Sequence, residues 1–303
     1  MEISQLKIDK KNGTCLYSDE KHIYWDEKDE VKYVSVTTLI HKFTQEFDEE
    51  FWSAYKALEA IMAEGFSRVK SSLLKSKKFN IKLIDKLEID KLEFDTKRQE
   101  IKDAWEANKN KACERGTAIH LGKELNFYEG KEHEIKHFGL GGKFTCERNY
   151  YELDLEKGVY PEYLVSRKSD DELLRIAGQI DLLIKDGNDI YIIDYKTNKK
   201  LDEKSYFDPT TKKHQMMKYP LNNVMDCNML HYTLQLSTYA YLLKLINPEF
   251  NVKRLMIIHY DHDGNEKHYE LKYMEKEVEI MLKFYKKQIM LDRKKELRKP
   301  IEY

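Results

Sequence analysis

Residues 178–199 read "GQIDLLIKDGNDIYIIDYKTNK", two apolar runs separated by "KDGNDI", each holding one aspartate. Gly187-Asn188 suits a tight two-residue hairpin turn, with glycine in the first turn position. Once the turn is placed, the register follows: Lys185 faces Ile190, Leu183 faces Ile192, and Asp181 faces Asp194. Gln179 and Lys196 form the next pair on that face, while Ile180, Leu182, Ile184, Tyr191 and Ile193 occupy the other as ordinary core. Directly opposed Cβ atoms lie ~5 Å apart. Two carboxylates at such a distance repel by roughly 1 kcal/mol in water and 4 at an effective dielectric near 20. A buried carboxylate also needs a positive partner. Two arrangements meet that demand. Either a hard cation such as Mg²⁺ or Mn²⁺ lies between the aspartates, or one aspartate ends its strand in solvent and the other pairs with Lys196.

Working outward, "VYPEYLVSRK", "LRIAGQIDLLI" and "DIYIIDYKT" read as three consecutive strands over 159–197. Residues 198–228 form a long polar segment with Pro209 and Pro220, and loops of that length tend to be functional or disordered. "LHYTLQLSTYAYLLKLI" (230–246) is a helix, and "RLMIIHYDHDGNEKHYELKYM" a hairpin turning at Asp263-Gly264-Asn265. A charged helix covers about 274–296. Toward the start, residues 14–37 alternate as short antiparallel strands, and "SVTTLIHKF" reads as a cap, Ser35 or Thr37, followed by a helix. From about 48 to 128 the pattern is helical and heavily charged. Its repeat "IDKLEIDKLEFD" (84–95) has a period of five, which fits neither helix nor strand stripe and reads as a solvated helical insertion or a lid.

Composition excludes several classes. A hydrophobic fraction of 41% supports a sizeable core, and Lys+Arg 53 against Asp+Glu 54 gives a net charge of -1, so a nucleic-acid partner would need a local basic patch. No apolar run approaches the ~18 residues of a membrane span, and "MEISQLKIDKK" lacks a signal-peptide pattern. Cys15, Cys113, Cys146 and Cys227 are scattered without a CxxC pair. That spacing argues against structural zinc and disulfides, and for a cytoplasmic chain, in a host cytoplasm if viral.

Two further segments carry candidate chemistry. "ERGTAIHLGKEL" places His120 on a helix with Gly116 and Glu124 one turn away; a lone helical histidine is either a packing residue or a ligand. "QLSTYAYLL" places Gln235 and Tyr239 one turn apart on an apolar helix, as core residues or as site residues.

In this order, "GTAIH", "GQID", "DYKT" and "QLSTY" resemble the RecB-like branch of the PD-(D/E)XK nuclease superfamily, with mitochondrial genome maintenance exonucleases and related phage nucleases the nearest relatives. "VSVTTLI" resembles that group's opening, and the likeness spans roughly residues 33–60 and 112–245 in blocks. The resemblance implies an α/β fold with a restriction-endonuclease-like core, a mixed central β-sheet flanked by helices, and an N-terminal helical elaboration. Residues 1–110 would form N-terminal strands and a charged helical region packed on a nuclease core at 111–303. It implies Asp181 and Asp194 as metal ligands, His120 as a further ligand, and Lys196 as the catalytic lysine. Glu162 would be the acidic residue of the first core strand, and the Tyr195 carbonyl would complete the coordination. Gln235 and Tyr239 would support the lysine and the DNA end, with Thr197 also at the substrate. Asp194 stands where many members carry glutamate, which keeps a carboxylate at that pleat position. Relatives with an iron–sulfur cluster place three cysteines after the QxxxY helix; with no cysteine after Cys227, no cluster is expected.

The implied activity is Mg²⁺- or Mn²⁺-dependent DNA hydrolysis, exonucleolytic and favouring single-stranded ends. The rival readings are a structure-specific or nicking endonuclease on the same site, a nucleic-acid-binding module with a vestigial site, and a metal-binding structural protein. "TKKHQMMK" (211–218) would track a nucleic-acid backbone or serve solubility alone.

Overall fold

The computed structural model describes residues 5–9, 13–18, 20–62, 65–76, 81–129, 132–135, 140, 142–146, 155–208 and 211–298. Pro209 lies outside them. An antiparallel meander opens the chain: β1 (Gln5–Asp9), β2 (Gly13–Ser18), β3 (Ile23–Asp26) and β4 (Lys32–Ser35). Helices follow: α1 (Val36–His41), α2 (Glu49–Ile61), α3 (Phe66–Ser76), α4 (Ile81–Ile84) and the long α5 (Lys91–Tyr128). Next come β5 (Glu132–Glu134), β6 (Lys143–Cys146), β7 (Gly158–Lys168), β8 (Arg175–Asp186) and β9 (Asp189–Lys196). The short pair β10 (Phe207–Asp208) and β11 (Lys213–His214) precedes α6 (Asn228–Ile246), and β12 (Asn251–Tyr260), β13 (Glu266–Leu271) and α7 (Glu275–Glu296) complete the elements.

The chain divides into two compact units, Met1–Gln45 with Ala118–Tyr303, and Glu46–Thr117. In the second, Phe51, Ala54, Tyr55, Leu58, Phe66, Leu73, Ile84 and Phe94 build a separate apolar cluster. The five-residue repeat is not a continuous helix. α4 stops at Ile84 and α5 starts at Lys91, where the Asp90 carboxylate accepts from the backbone N–H groups of Leu92 and Glu93. A period of five offers no stripe for one helix to bury, and the cap at Asp90 starts a new one.

The first unit is a mixed sheet flanked by helices, the α/β architecture the motifs implied. Ser35 caps α1, its hydroxyl accepting from Thr38 N–H at 3.0 Å. β7 and β8 pair antiparallel, β8 and β9 form the hairpin, and β12 lies parallel to β9 with α6 as the crossover between them. β9 is buried on both faces. Ile190 and Ile192 join the core beneath α1, α6 and α7, and Ile193 and Tyr195 join the opposite core with Ile119 and Phe127 of α5. Gly187 takes φ 62°, the left-handed value the first turn position requires. The hairpin pairs Asp186 with Asp189, Lys185 with Ile190, Leu183 with Ile192 and Leu182 with Ile193, as the turn dictated.

That ladder ends one rung short of Asp181 and Asp194, because β8 changes partners there. Ile176 and Ala177 pair with β4, Leu182 onward pairs with β9, and among the described residues no strand pairs with 178–181 on that edge. On the other edge, Pro161 pairs with Leu182 and Tyr163 with Ile180, skipping the Glu162–Asp181 rung. Glu162 itself takes φ 49°, a left-handed conformation that costs a β-strand residue roughly 1–2 kcal/mol. Strand alternation inverts across this point. Tyr160 and Tyr163 fall in one core cluster, and so do Ile180 and Leu183, although residues three apart in an unbroken strand face opposite ways. Ile180 therefore does not share a face with Leu182 and Ile184; the irregularity at Glu162 and Asp181 moves it to the α6 side.

Candidate active site

The partner change in β8 opens the sheet where the sequence placed its polar residues. Beyond the last rung of the ladder, the Tyr195 N–H donates to Asp181 Oδ2 at 2.7 Å, so the carboxylate takes the place of a carbonyl. Glu162, on the irregular rung, and His120, on α5, converge on the same carboxylate. His120 Nδ1 lies 3.5 Å from Asp181 Oδ2 and 3.9 Å from Glu162 Oε1. One ligand atom from each of His120, Glu162 and Asp181 lies within 4.8 Å of the others.

The imidazole's orientation is decided by its other nitrogen. His120 Nε2 is 3.0 Å from the Tyr195 carbonyl, which can only accept, so Nε2 carries the proton. Nδ1 then faces the carboxylates of Asp181 and Glu162. One imidazole nitrogen and two carboxylates form a donor set that a divalent cation fits. The Tyr195 carbonyl, expected to complete a coordination sphere, also holds His120, and its second lone pair leaves that expectation open. Burial, and next the charge of Asp194, push the Asp181 carboxyl up to about 6. A site that resists holding its own negative charge is one that a cation relieves.

Asp194 is 1% exposed, and its two oxygens are both engaged. Oδ1 accepts from Gln235 Nε2 at 3.2 Å, and Oδ2 contacts the Lys196 ammonium. Burial opposes the charge on Lys196, but Asp194 and then Asp181 outweigh it and hold the ammonium protonated above its ordinary range. Gln235 Nε2 also donates to Tyr239 Oη at 3.1 Å. Tyr239 is 3% exposed and presses on Gly178, where a Cβ would lie 2.5 Å from its ring. The glycine of "GQID" and the tyrosine of "QLSTY" are thus packed on each other. Thr197 follows Lys196, half-buried at the end of β9.

The sequence-derived residues come together as two adjoining groups: His120, Glu162 and Asp181, with ligand atoms within 4.8 Å of one another, and Asp194, Lys196, Gln235 and Tyr239, linked by direct contacts. Two participants were not singled out from sequence. The Lys196 ammonium lies 4.7 Å from the centre of the Tyr232 ring, and Tyr232 Oη accepts from Asn198 Nδ2 at 2.7 Å. The available signal was spacing, since Tyr232 precedes Gln235 by one helical turn. A third feature, away from the site, also went unseen: Asp26, 0% exposed, pairs with Lys168 at 3.1 Å and with the Tyr33 hydroxyl at 3.2 Å. Arg175 approaches that carboxylate at 3.7 Å and binds both oxygens of Asp29 at 2.6 Å.

Comparison with known proteins agrees with the site. The chain matches the profile of the PD-(D/E)XK nuclease superfamily over residues 35–300, and it belongs to that superfamily. Such membership implies metal-dependent cleavage of nucleic acid. No curated protein matches the chain. Among solved structures, that of SSO0001 is similar at 15% identity, covering 86% of this chain and 76% of its own, with a TM-score of 0.34. Among the described residues, no helix is long and apolar enough to cross a membrane.

Proposed function

We propose that the chain is a DNA exonuclease of the RecB-like branch, acting on single-stranded ends with Mg²⁺ or Mn²⁺. The observation that supports it most is the convergence of His120, Glu162 and Asp181 beside a buried Asp194–Lys196 pair. A divalent cation held by those three side chains supplies Lewis acidity toward water and phosphate oxygen. Lys196, fixed as a cation by Asp194, offsets the charge that builds on the phosphate as the bond breaks. Gln235 steadies Asp194, and Tyr239 steadies Gln235. The strained Glu162 aims a carboxylate that a regular strand would point elsewhere. The preference for unpaired ends rests on the segment after β9. Tyr206 and Phe207 are about half exposed and Tyr219 more so, as stacking platforms for bases, and Lys212, Lys213 and Lys218 add charge for the backbone.

The test is digestion of 5′- and 3′-end-labelled single-stranded DNA with Mg²⁺, Mn²⁺ or EDTA, beside a circular single strand. Metal-dependent shortening of the linear strands alone is expected, and the label lost first gives the polarity. Cutting of the circle would replace the exonuclease with an endonuclease. Binding of DNA without cleavage under either metal would leave a vestigial binding module.

A further inference from the structure

We infer that Tyr232, braced by Asn198, is a positioning residue for Lys196, holding the ammonium on its ring face while Asp194 holds it from the other side. The inference rests on the reading of Lys196 as the group that meets the phosphate.

A lysine is a point charge on four flexible carbons, and a single carboxylate contact lets it swing. Here two contacts come from one helix turn. Tyr232 of α6 presents its ring 4.7 Å from the ammonium, and Gln235, three residues on, donates to the carboxylate that pairs with it. α6 therefore grips both halves of the Asp194–Lys196 pair. The ring is fixed in turn: Asn198 Nδ2 donates to the Tyr232 hydroxyl at 2.7 Å. Asn198 is also anchored, because its carbonyl accepts from His259 Nε2 at 2.7 Å. His259 is 6% exposed and stands beside Lys196 in the parallel β9–β12 ladder. The chain His259, Asn198, Tyr232, Lys196 thus runs from β12 through the end of β9 to α6 and back. A leucine at 232 would fill similar space, but only an aromatic ring attracts a cation to its face. The hydroxyl adds the one hydrogen bond that fixes the ring's tilt.

The test compares Tyr232→Leu, Tyr232→Phe, Tyr232→Trp, Asn198→Ala and Lys196→Ala for kcat, KM, metal dependence and thermal unfolding. Tyr232→Leu should lower kcat roughly three- to thirty-fold, the range a partly desolvated cation–ring contact spans, with KM and metal dependence unmoved. Tyr232→Phe and Tyr232→Trp, which keep an aromatic face, should stay within about threefold of the parent. Asn198→Ala should match Tyr232→Phe and add nothing to it, since it acts through the hydroxyl. If the leucine variant does not fold, Tyr232→Met gives the same contrast. A leucine variant as active as the parent would overturn the inference. So would phenylalanine and leucine variants equally impaired in step with their melting temperatures, which is the signature of a merely structural residue. Full activity of Lys196→Ala would instead overturn the role of the lysine itself.

Discussion

Replacing Gly178 by alanine puts a methyl group against the buried ring of Tyr239. The new Cβ would lie 2.5 Å from Tyr239 Cε1, inside any permissible contact, and a tight 3.3 Å from Cζ and Oη. Tyr239 is 3% exposed and its neighbours on α6 are buried, so the ring has little room to retreat. Overpacking of this kind costs about 1–3 kcal/mol. At about 2–4 °C per kcal/mol for a large domain, the unfolding temperature should fall by roughly 2–12 °C. The functional loss should be larger than the stability loss suggests. Tyr239 Oη takes a hydrogen bond from Gln235 Nε2, which also holds Asp194, so a shifted ring releases the carboxylate that fixes Lys196. Thermal unfolding followed by circular dichroism, with cleavage of a labelled oligonucleotide, reads both effects. A double-mutant cycle with Tyr239→Leu sharpens the reading: the alanine should cost less once the ring is gone, giving a coupling energy between the positions. An alanine variant that unfolds and cleaves like the parent would refute the packing argument, and so would a strictly additive cycle.

Two further predictions concern charge. Asp181 has a folded-state pKa of about 6 against an ordinary 3.8, so the fold binds its proton more tightly than the unfolded chain. Its contribution to stability is complete below pH ~4 and is lost as pH rises through about 6, amounting to about 3 kcal/mol. Urea unfolding without metal should show that decline; saturating Mn²⁺ should flatten it, and Asp181→Asn should abolish it, whereas a metal-free protein whose stability rises over that window would contradict the assignment. Asp26 is the partner of buried Lys168 and a neighbour of Arg175, so Asp26→Ala strands charge in the interior and should cost about 3–5 kcal/mol by denaturant titration. A loss under about 1 kcal/mol would place the cluster among ordinary surface pairs.

The hairpin was legible because turn chemistry and alternation both act over a few residues. Gly187-Asn188 fixed the pairing of 182–186 with 189–193, and the observed ladder follows it. The ladder's end was not legible. Nothing in the identity of Glu162 announces a left-handed φ, a conformation that glycine or asparagine would have signalled, so the inversion of alternation beside it was invisible. The same irregularity groups Glu162 with His120 and Asp181, while Asp194 contacts Lys196 and still acts on Asp181 through its charge. The Asp26, Lys168 and Arg175 cluster escaped for another reason: it joins positions over 140 apart in the chain, a separation across which no periodicity carries information. The packing of Gly178 on Tyr239 explains in retrospect why two short motifs far apart in sequence occur together.

The most direct measurement is titration of the protein with Mn²⁺, following free metal by electron paramagnetic resonance, for the parent chain and for Asp181→Ala, Glu162→Ala and His120→Ala. Saturable binding by the parent is expected, lost in the two carboxylate variants and weakened in the histidine variant. Absence of binding by the parent, or undiminished binding by Asp181→Ala, would contradict it.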